Sequence, residues 1–172
     1  TGVGNVVAIG SIQQERGREL EATVQEFEAL NQSVQSERRA IAARSDELNQ
    51  TVNLLRGELT HLRENPDASV EAAFERVRAN STVEVGDSRY ATFEQAASDL
   101  RSATSESEVE AAYRLGTRGV LADEFQALDE RSDDLEAQAE QLRELGGEIE
   151  TQRAAFENAS DATLDEQLEA LW

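Results

Sequence analysis

The sequence predicts a mainly α-helical protein: a long antiparallel helical hairpin, or coiled coil, with a small helical head containing one β-hairpin. Two long segments carry apolar residues at alternating steps of four and three, which is the spacing of a helical seam. Only 38% of the 172 residues are hydrophobic and 5% aromatic, which is thin for a compact globule of this length. An elongated helical protein needs only a narrow apolar seam, and this composition supplies one.

Residues 13–65 form the first predicted helix of the coiled coil. One seam position is apolar throughout, and its residues are Leu20, Phe27, Val34, Ile41, Leu48, Leu55 and Leu62. The second seam position is mixed, with Asn31 and Arg38 in its middle. Polar residues at such positions specify register or partner number, or find partners on further helices of an oligomer. We therefore expect Asn31 and Arg38 to specify register, and the protein to be a homo-oligomer.

Residues 119–160 form the second predicted helix, with a seam of Leu121, Leu128, Leu135, Leu142, Ile149 and Phe156. Antiparallel pairing of the two helices places large residues opposite small ones if paired residue numbers add up to 180. Val34 then faces Gly146, and Ile41 faces Ala139. A register one heptad away, with a sum of 187, fits nearly as well, so the pairing stays open.

Residues 66–118 form the predicted head insert. Pro66 ends the first helix, and Asp67 or Ser69 can cap a short helix after it. Valines then alternate with polar residues, followed by a turn at Gly86 and an aromatic pair. This pattern predicts a β-hairpin over about residues 82–91.

Two capping-box spacings predict two further short helices in the insert. Thr92 is followed by Gln95, and Ser105 by Glu108, each at the three-residue separation that lets side chains cap a helix start. The second of these helices should end at Gly116, where glycine interrupts the helical pattern.

The charge is strongly acidic and unevenly distributed. Thirty-six acidic residues face sixteen basic ones, all arginine, for a formal net charge of −20, of which residues 119–172 hold −13. Such a surface is typical of proteins from salt-saturated cells, where molar salt screens carboxylate repulsion over about 3 Å. We expect a halophilic source, an archaeon or its virus. The same charge argues against nucleic acid and anionic membranes as partners.

No residue pattern points to catalysis, a metal or a cofactor. The chain has no cysteine and one histidine, His61, so no histidine cluster can form. This one candidate base lies in the predicted coiled-coil helix, without the glycine turn that presents a serine nucleophile. The acidic runs lack the ligand spacing and turn glycine of a calcium loop. We expect no enzyme activity and no cofactor.

Two apolar terminal segments are the candidate docking surface: a leader at residues 1–12 and an amphipathic tail at residues 161–172. The leader is too short for the ~20 residues of a membrane-spanning helix. Antiparallel helices would bring both segments to one end, where they could bury apolar side chains against a partner. The candidate residues are Val3, Val6, Val7, Ile9, Ile12, Leu164, Leu168, Leu171 and Trp172.

Four of the seven asparagines lie in glycosylation sequons, at residues 31, 49, 80 and 158. Asn31 lies on the seam, which makes it a poor acceptor, whereas Asn80 lies in the insert and is the candidate glycosylation site. The enrichment favours a virion or cell-surface location over the cytoplasm.

Together these features predict a non-enzymatic structural or assembly protein. A coiled-coil stalk with a head would dock into a larger complex such as a virion, a tail or a surface appendage, through protein partners. The order of helix, hairpin and helix resembles a prefoldin subunit, whose paired helices hold client proteins. That resemblance covers topology only, and it implies a chaperone or soluble adaptor as the alternative function.

Overall fold

The structure, a computed structural model, describes the backbone of residues 2–170 and the side chains of residues 12–158. The chain is 89% helical, which confirms the predicted mainly α-helical class. The helices are α1 (Gly2–Glu64), α2 (Val70–Asn80), α3 (Tyr90–Ser102), α4 (Glu106–Arg114) and α5 (Ala122–Ala170). A 3₁₀ turn, Asp87–Arg89, precedes α3, and a π-helical turn, Leu115–Gly119, follows α4.

Contacts divide the chain into two compact units. The terminal unit combines the part of α1 up to Arg38 with the part of α5 from Asp134 onward. The central unit comprises Arg39–Asp133 and so contains the rest of both long helices together with all three short ones.

The two helices of the terminal unit pack antiparallel. A β-carbon added at Gly146 would lie 3.6 Å from Phe27 Cε2, and one added at Gly17 would lie 3.7 Å from Phe156 Cε2. Arg16 Nη1 donates to the carbonyl of Ala155 at 3.3 Å. These pairs add up to 171–173, so both expected registers, 180 and 187, are wrong. Gly146 accommodates the ring of Phe27, one heptad before the valine expected there.

The central unit has a continuous apolar core. α3 contacts α2, α4 and the π-helical turn. Phe74 and Phe93 are its largest buried side chains, with ring centroids 5.5 Å apart. The seam leucines of α1 in this unit reach zero exposure; they are Leu48, Leu55, Leu59 and Leu62.

The predicted β-hairpin at residues 82–91 is wrong, because the described residues contain no strand. Val83 and Val85 are buried and the residues between and before them are exposed, so the alternation is real. No second strand pairs with this segment: the Val85 carbonyl accepts from Arg78 Nε at 2.8 Å, and the Val83 carbonyl from Ser81 Oγ at 2.7 Å. Tyr90 already begins α3.

Helix starts in the central unit follow side-chain capping in two of three predicted places. Ser69 Oγ accepts from Ala72 N at 3.1 Å at the start of α2, and Ser105 Oγ from Glu108 N at 3.3 Å at the start of α4. Thr92 was expected to cap the next helix but lies inside α3, because the 3₁₀ turn starts that helix earlier.

Candidate docking surfaces

The apolar seam of the terminal unit is only partly covered. Val34 has zero exposure, but most seam residues of this unit keep an intermediate exposure. They are Leu20, Val24, Phe27, Leu142, Ile149 and Phe156. In a pair of helices each seam side chain is covered by the opposite helix only, so its flanks remain exposed to water. The terminal unit therefore presents apolar surface that further helices could cover.

The predicted terminal anchor lies mostly outside the described side chains. α1 extends through the leader to Gly2, and α5 continues through the tail to Ala170. The side chains of the leader up to Ser11 and of the tail are not among the described residues, nor are Leu171 and Trp172 at all. Ile12 is described, and it is the one large apolar side chain of the described set classed as exposed, at 49%.

The two polar residues expected to specify register lie at different depths. Asn31 is half-buried in the terminal unit, whereas Arg38, where this unit's part of α1 ends, is exposed. Because Arg38 is exposed, its guanidinium stays hydrated. It therefore does not have the desolvation cost of a charge buried in a helical seam. Their role in specifying partners stays a prediction.

Asn80, the candidate glycosylation site, is the last residue of α2 and is exposed. Its Nδ2 donates to the Arg76 carbonyl at 2.8 Å, so the side-chain amide folds back onto the last turn of its own helix. In the following residue, Ser81 Oγ forms a hydrogen bond with Thr51 Oγ1 at 2.8 Å, and Thr82 is exposed. The sequon is therefore at the surface, and its modification stays a prediction.

A groove on the terminal unit was missed by the sequence reasoning. Its cavity volume is about 360 Å³. The lining residues are Glu26, Leu30, Gln141, Glu144, Leu145 and Glu148, here called the acidic groove. The two leucines are half-buried and form its floor, while the four polar residues are exposed and form its rim.

A sequence signal for this groove exists. Leu30 follows Phe27 by three residues, and Leu145 follows Leu142 by three, so both lie one helical turn beyond the strict seam. An apolar residue at that spacing widens the apolar stripe to one side of each helix.

Polar groups along the same flank of α5 include two acceptors without donors. Gln138 and Gln152 lie one heptad before and after Leu145, and within the described part of the chain their Oε1 atoms are buried with no hydrogen-bond partner. The Gln152 amide is oriented by its Nε2, which donates to Glu148 Oε1 at 3.3 Å.

A second groove, in the central unit, is electrically balanced. It has a volume of about 400 Å³ and is lined by Arg44, Asp123, Glu124, Ala127, Leu128 and Arg131. Arg89 donates to Asp123, and its Nη2 lies 3.9 Å from Glu124 Oε2. The hydrogen bond to Asp123 raises the pKa of Arg89, although partial burial opposes it. The carboxylates of Asp123 and Glu124 in this groove therefore lie near an arginine of the same unit, whereas no arginine lines the acidic groove.

His61 is exposed near the end of α1, where its Nδ1 lies 3.2 Å from Asn65 Nδ2. Across the described residues, no three histidine, aspartate or glutamate side chains are arranged to hold a metal ion. Within the same part of the chain, no helix combines the length and apolar character needed to cross a bilayer. Comparison with protein-family models, curated proteins and solved structures finds no match for this chain.

Proposed function

We propose that this protein is a non-enzymatic structural or assembly protein of a halophilic archaeon or its virus. In this proposal the terminal unit docks into a larger protein complex, such as a virion, a tail or a surface appendage. The observation that carries the proposal is the half-exposed seam of the terminal unit, which contrasts with the buried seam leucines of the central unit.

The energetics of that seam support a docking role. Burying apolar surface contributes a favourable free energy of about 25 cal/mol for each Å² removed from water. Covering several half-exposed leucine, valine and phenylalanine side chains therefore favours association. The central unit meets this requirement internally, because its short helices complete its core. The terminal unit has only its two helices, and neighbouring chains would complete it.

The acidic surface determines the conditions under which association is expected. At low ionic strength a net charge of −20 opposes the approach of copies of this chain. Molar salt shortens the screening length to about 3 Å and removes most of that repulsion.

Multi-angle light scattering of the purified chain in 0.2, 1 and 3 M KCl tests the proposal. We expect a defined oligomer at the two higher concentrations and dissociation at the lowest. A monomer at all three concentrations would contradict the assembly role and favour a soluble adaptor. The resemblance to a prefoldin subunit included a β-hairpin between the helices, and no strand occurs among the described residues.

A further inference from the structure

The acidic groove has the geometry of a site for one helix of a partner. On α5, Gln141, Glu144, Leu145 and Glu148 follow at steps of three, one and three, so they share one face of the helix. On α1, Glu26 and Leu30 are four residues apart and are likewise neighbours. The groove thus runs along both helices of the terminal unit, with leucines below and carboxylates at the edges.

The floor of the groove calls for an apolar occupant. Leu30 and Leu145 are half-buried, and no other apolar side chain lines the cavity. An amphipathic helix that lays an apolar side chain into such a groove buries its own surface and that of both leucines. This contact supplies affinity, and the rim of the groove decides which helix fits.

The rim selects by charge. Glu26, Glu144 and Glu148 contribute three carboxylates, and no basic residue lines the cavity. The described side chains of the terminal unit, residues 12–38 and 134–158, carry thirteen carboxylates against five arginines. A second copy of this chain would bring more carboxylates to the rim, whereas a basic segment would neutralise it.

We propose that the acidic groove docks a helical protein segment that carries arginine or lysine one turn either side of an apolar side chain. The apolar side chain packs on Leu30 and Leu145. One basic group lies between Glu144 and Glu148, which are one turn apart on α5, and the other faces Glu26 across the groove. This inference rests on the proposed docking role of the terminal unit and names the chemistry of one partner.

Fluorescence anisotropy with a labelled peptide tests the groove. The probe is an 18-residue helical peptide with leucine at every third or fourth position and lysine elsewhere; a matched peptide has glutamate in place of lysine. The groove variant is Glu144→Gln with Glu148→Gln. The control variant is Glu136→Gln with Glu150→Gln, two exposed residues of the same helix that do not line the groove. Both variants change the net charge equally.

We expect the lysine peptide to bind the wild-type chain and the groove variant to bind it about fivefold more weakly, as expected for two lost ion pairs. The control variant should stay within about twofold of wild type, and the glutamate peptide should not bind. Equal weakening in the control variant would mean that the overall field, and not the groove, attracts the peptide, and would overturn the proposal. Absence of lysine-peptide binding would overturn it as well.

Light scattering on the same samples separates this inference from the proposed function. An oligomer that fails to bind the lysine peptide contradicts the groove proposal and leaves the assembly role standing. A chain that is monomeric at every salt concentration contradicts the assembly role, whatever the peptide does.

Discussion

Gly116 lies against Leu59 so closely that a β-carbon at residue 116 would be 2.5 Å from Leu59 Cδ1. The same β-carbon would be 2.8 Å from the β-carbon of Ala96, which has no torsion through which it can move away. The π-helical turn, α1 and α3 thus meet at one point in the core of the central unit. The helix expected to end at Gly116 ends two residues earlier, at Arg114, and Gly116 lies in the π-helical turn that follows, where this close approach leaves no room for a β-carbon.

Gly116→Ala should destabilise the protein, because the added methyl group overpacks a buried contact; such changes cost about 1–3 kcal/mol. Urea unfolding followed by circular dichroism measures the change. Gly57→Ala is the control: Gly57 is exposed in α1 with no atom within 4 Å of an added β-carbon. There alanine should raise stability by about 0.5–1 kcal/mol, since glycine is a poor helix former. Equal effects of the two changes would contradict the close contact.

Arg101→Met should destabilise the end of α1. The Arg101 guanidinium donates to the carbonyls of Leu62, Asn65 and Ala68 at 3.0, 3.2 and 2.9 Å, and so satisfies acceptors that the helix end leaves open. Loss of these bonds should lower the free energy of unfolding by about 1–3 kcal/mol, measured by urea titration.

The control for Arg101 is Arg143→Met on α5. Arg143 is 78% exposed and pairs with Glu140 at 3.0 Å, an interaction of the exposed kind that contributes about 0–1 kcal/mol. A loss at Arg101 no greater than at Arg143 would show that the helix end does not depend on the guanidinium.

Tyr90→Phe should change how stability depends on alkaline pH. Burial, followed by the hydrogen bond and charge of Glu94, raises the pKa of Tyr90 above its ordinary value of 10.0. The folded state therefore resists ionisation more than the unfolded state does. This contribution is complete below pH 10 and is lost as the pH rises through the folded-state pKa.

Urea midpoints at pH 8, 9, 10 and 11 measure this effect. Between pH 9 and 11 the wild type should lose more stability than the phenylalanine variant, since titration of the remaining groups is common to both proteins. Parallel curves for the two proteins would show that Tyr90 ionises equally easily in the folded and unfolded states.

The register of the terminal unit predicts which residue couples to Gly146. Gly146→Ala should raise stability by about 1 kcal/mol, because alanine favours the helix and its methyl group fits against the Phe27 ring at 3.6 Å. In a double-mutant cycle, Phe27→Ala should remove part of this gain, whereas Val34→Ala should add independently. Coupling to Val34 instead of Phe27 would restore the register expected from the sequence.

Heptad spacing predicted the long helices, but could not select their register. A large residue opposite a small one recurs every seven residues, so sums of 173, 180 and 187 all look acceptable in the sequence. The fit of Phe27 against Gly146 distinguishes them only in three dimensions. The valine alternation near Val83 and Val85 likewise reported burial correctly, but a strand also needs a partner strand, which alternation does not reveal.

The acidic groove shows a different limit. Leu30 and Leu145 are visible in the sequence as leucines three residues past the seam, so each could have been marked as a widening of the apolar stripe. Their opposition across two helices depends on the register, which the sequence left open. A site built from both helices could therefore be placed only once the pairing was known.

Docking through the apolar surface of the terminal unit, of which Ile12 is the exposed residue outside the seam, is tested most directly by light scattering of Ile12→Glu and Gln14→Glu in 3 M KCl. Both residues are exposed in α1 and both changes add one negative charge, but only the first removes an apolar side chain. The wild type and Gln14→Glu should form the same defined oligomer. For Ile12→Glu the oligomer should be weaker, with a dissociation constant about tenfold higher, which corresponds to about 1.4 kcal/mol. Identical dissociation of both variants, or a monomeric wild type, would contradict the docking role.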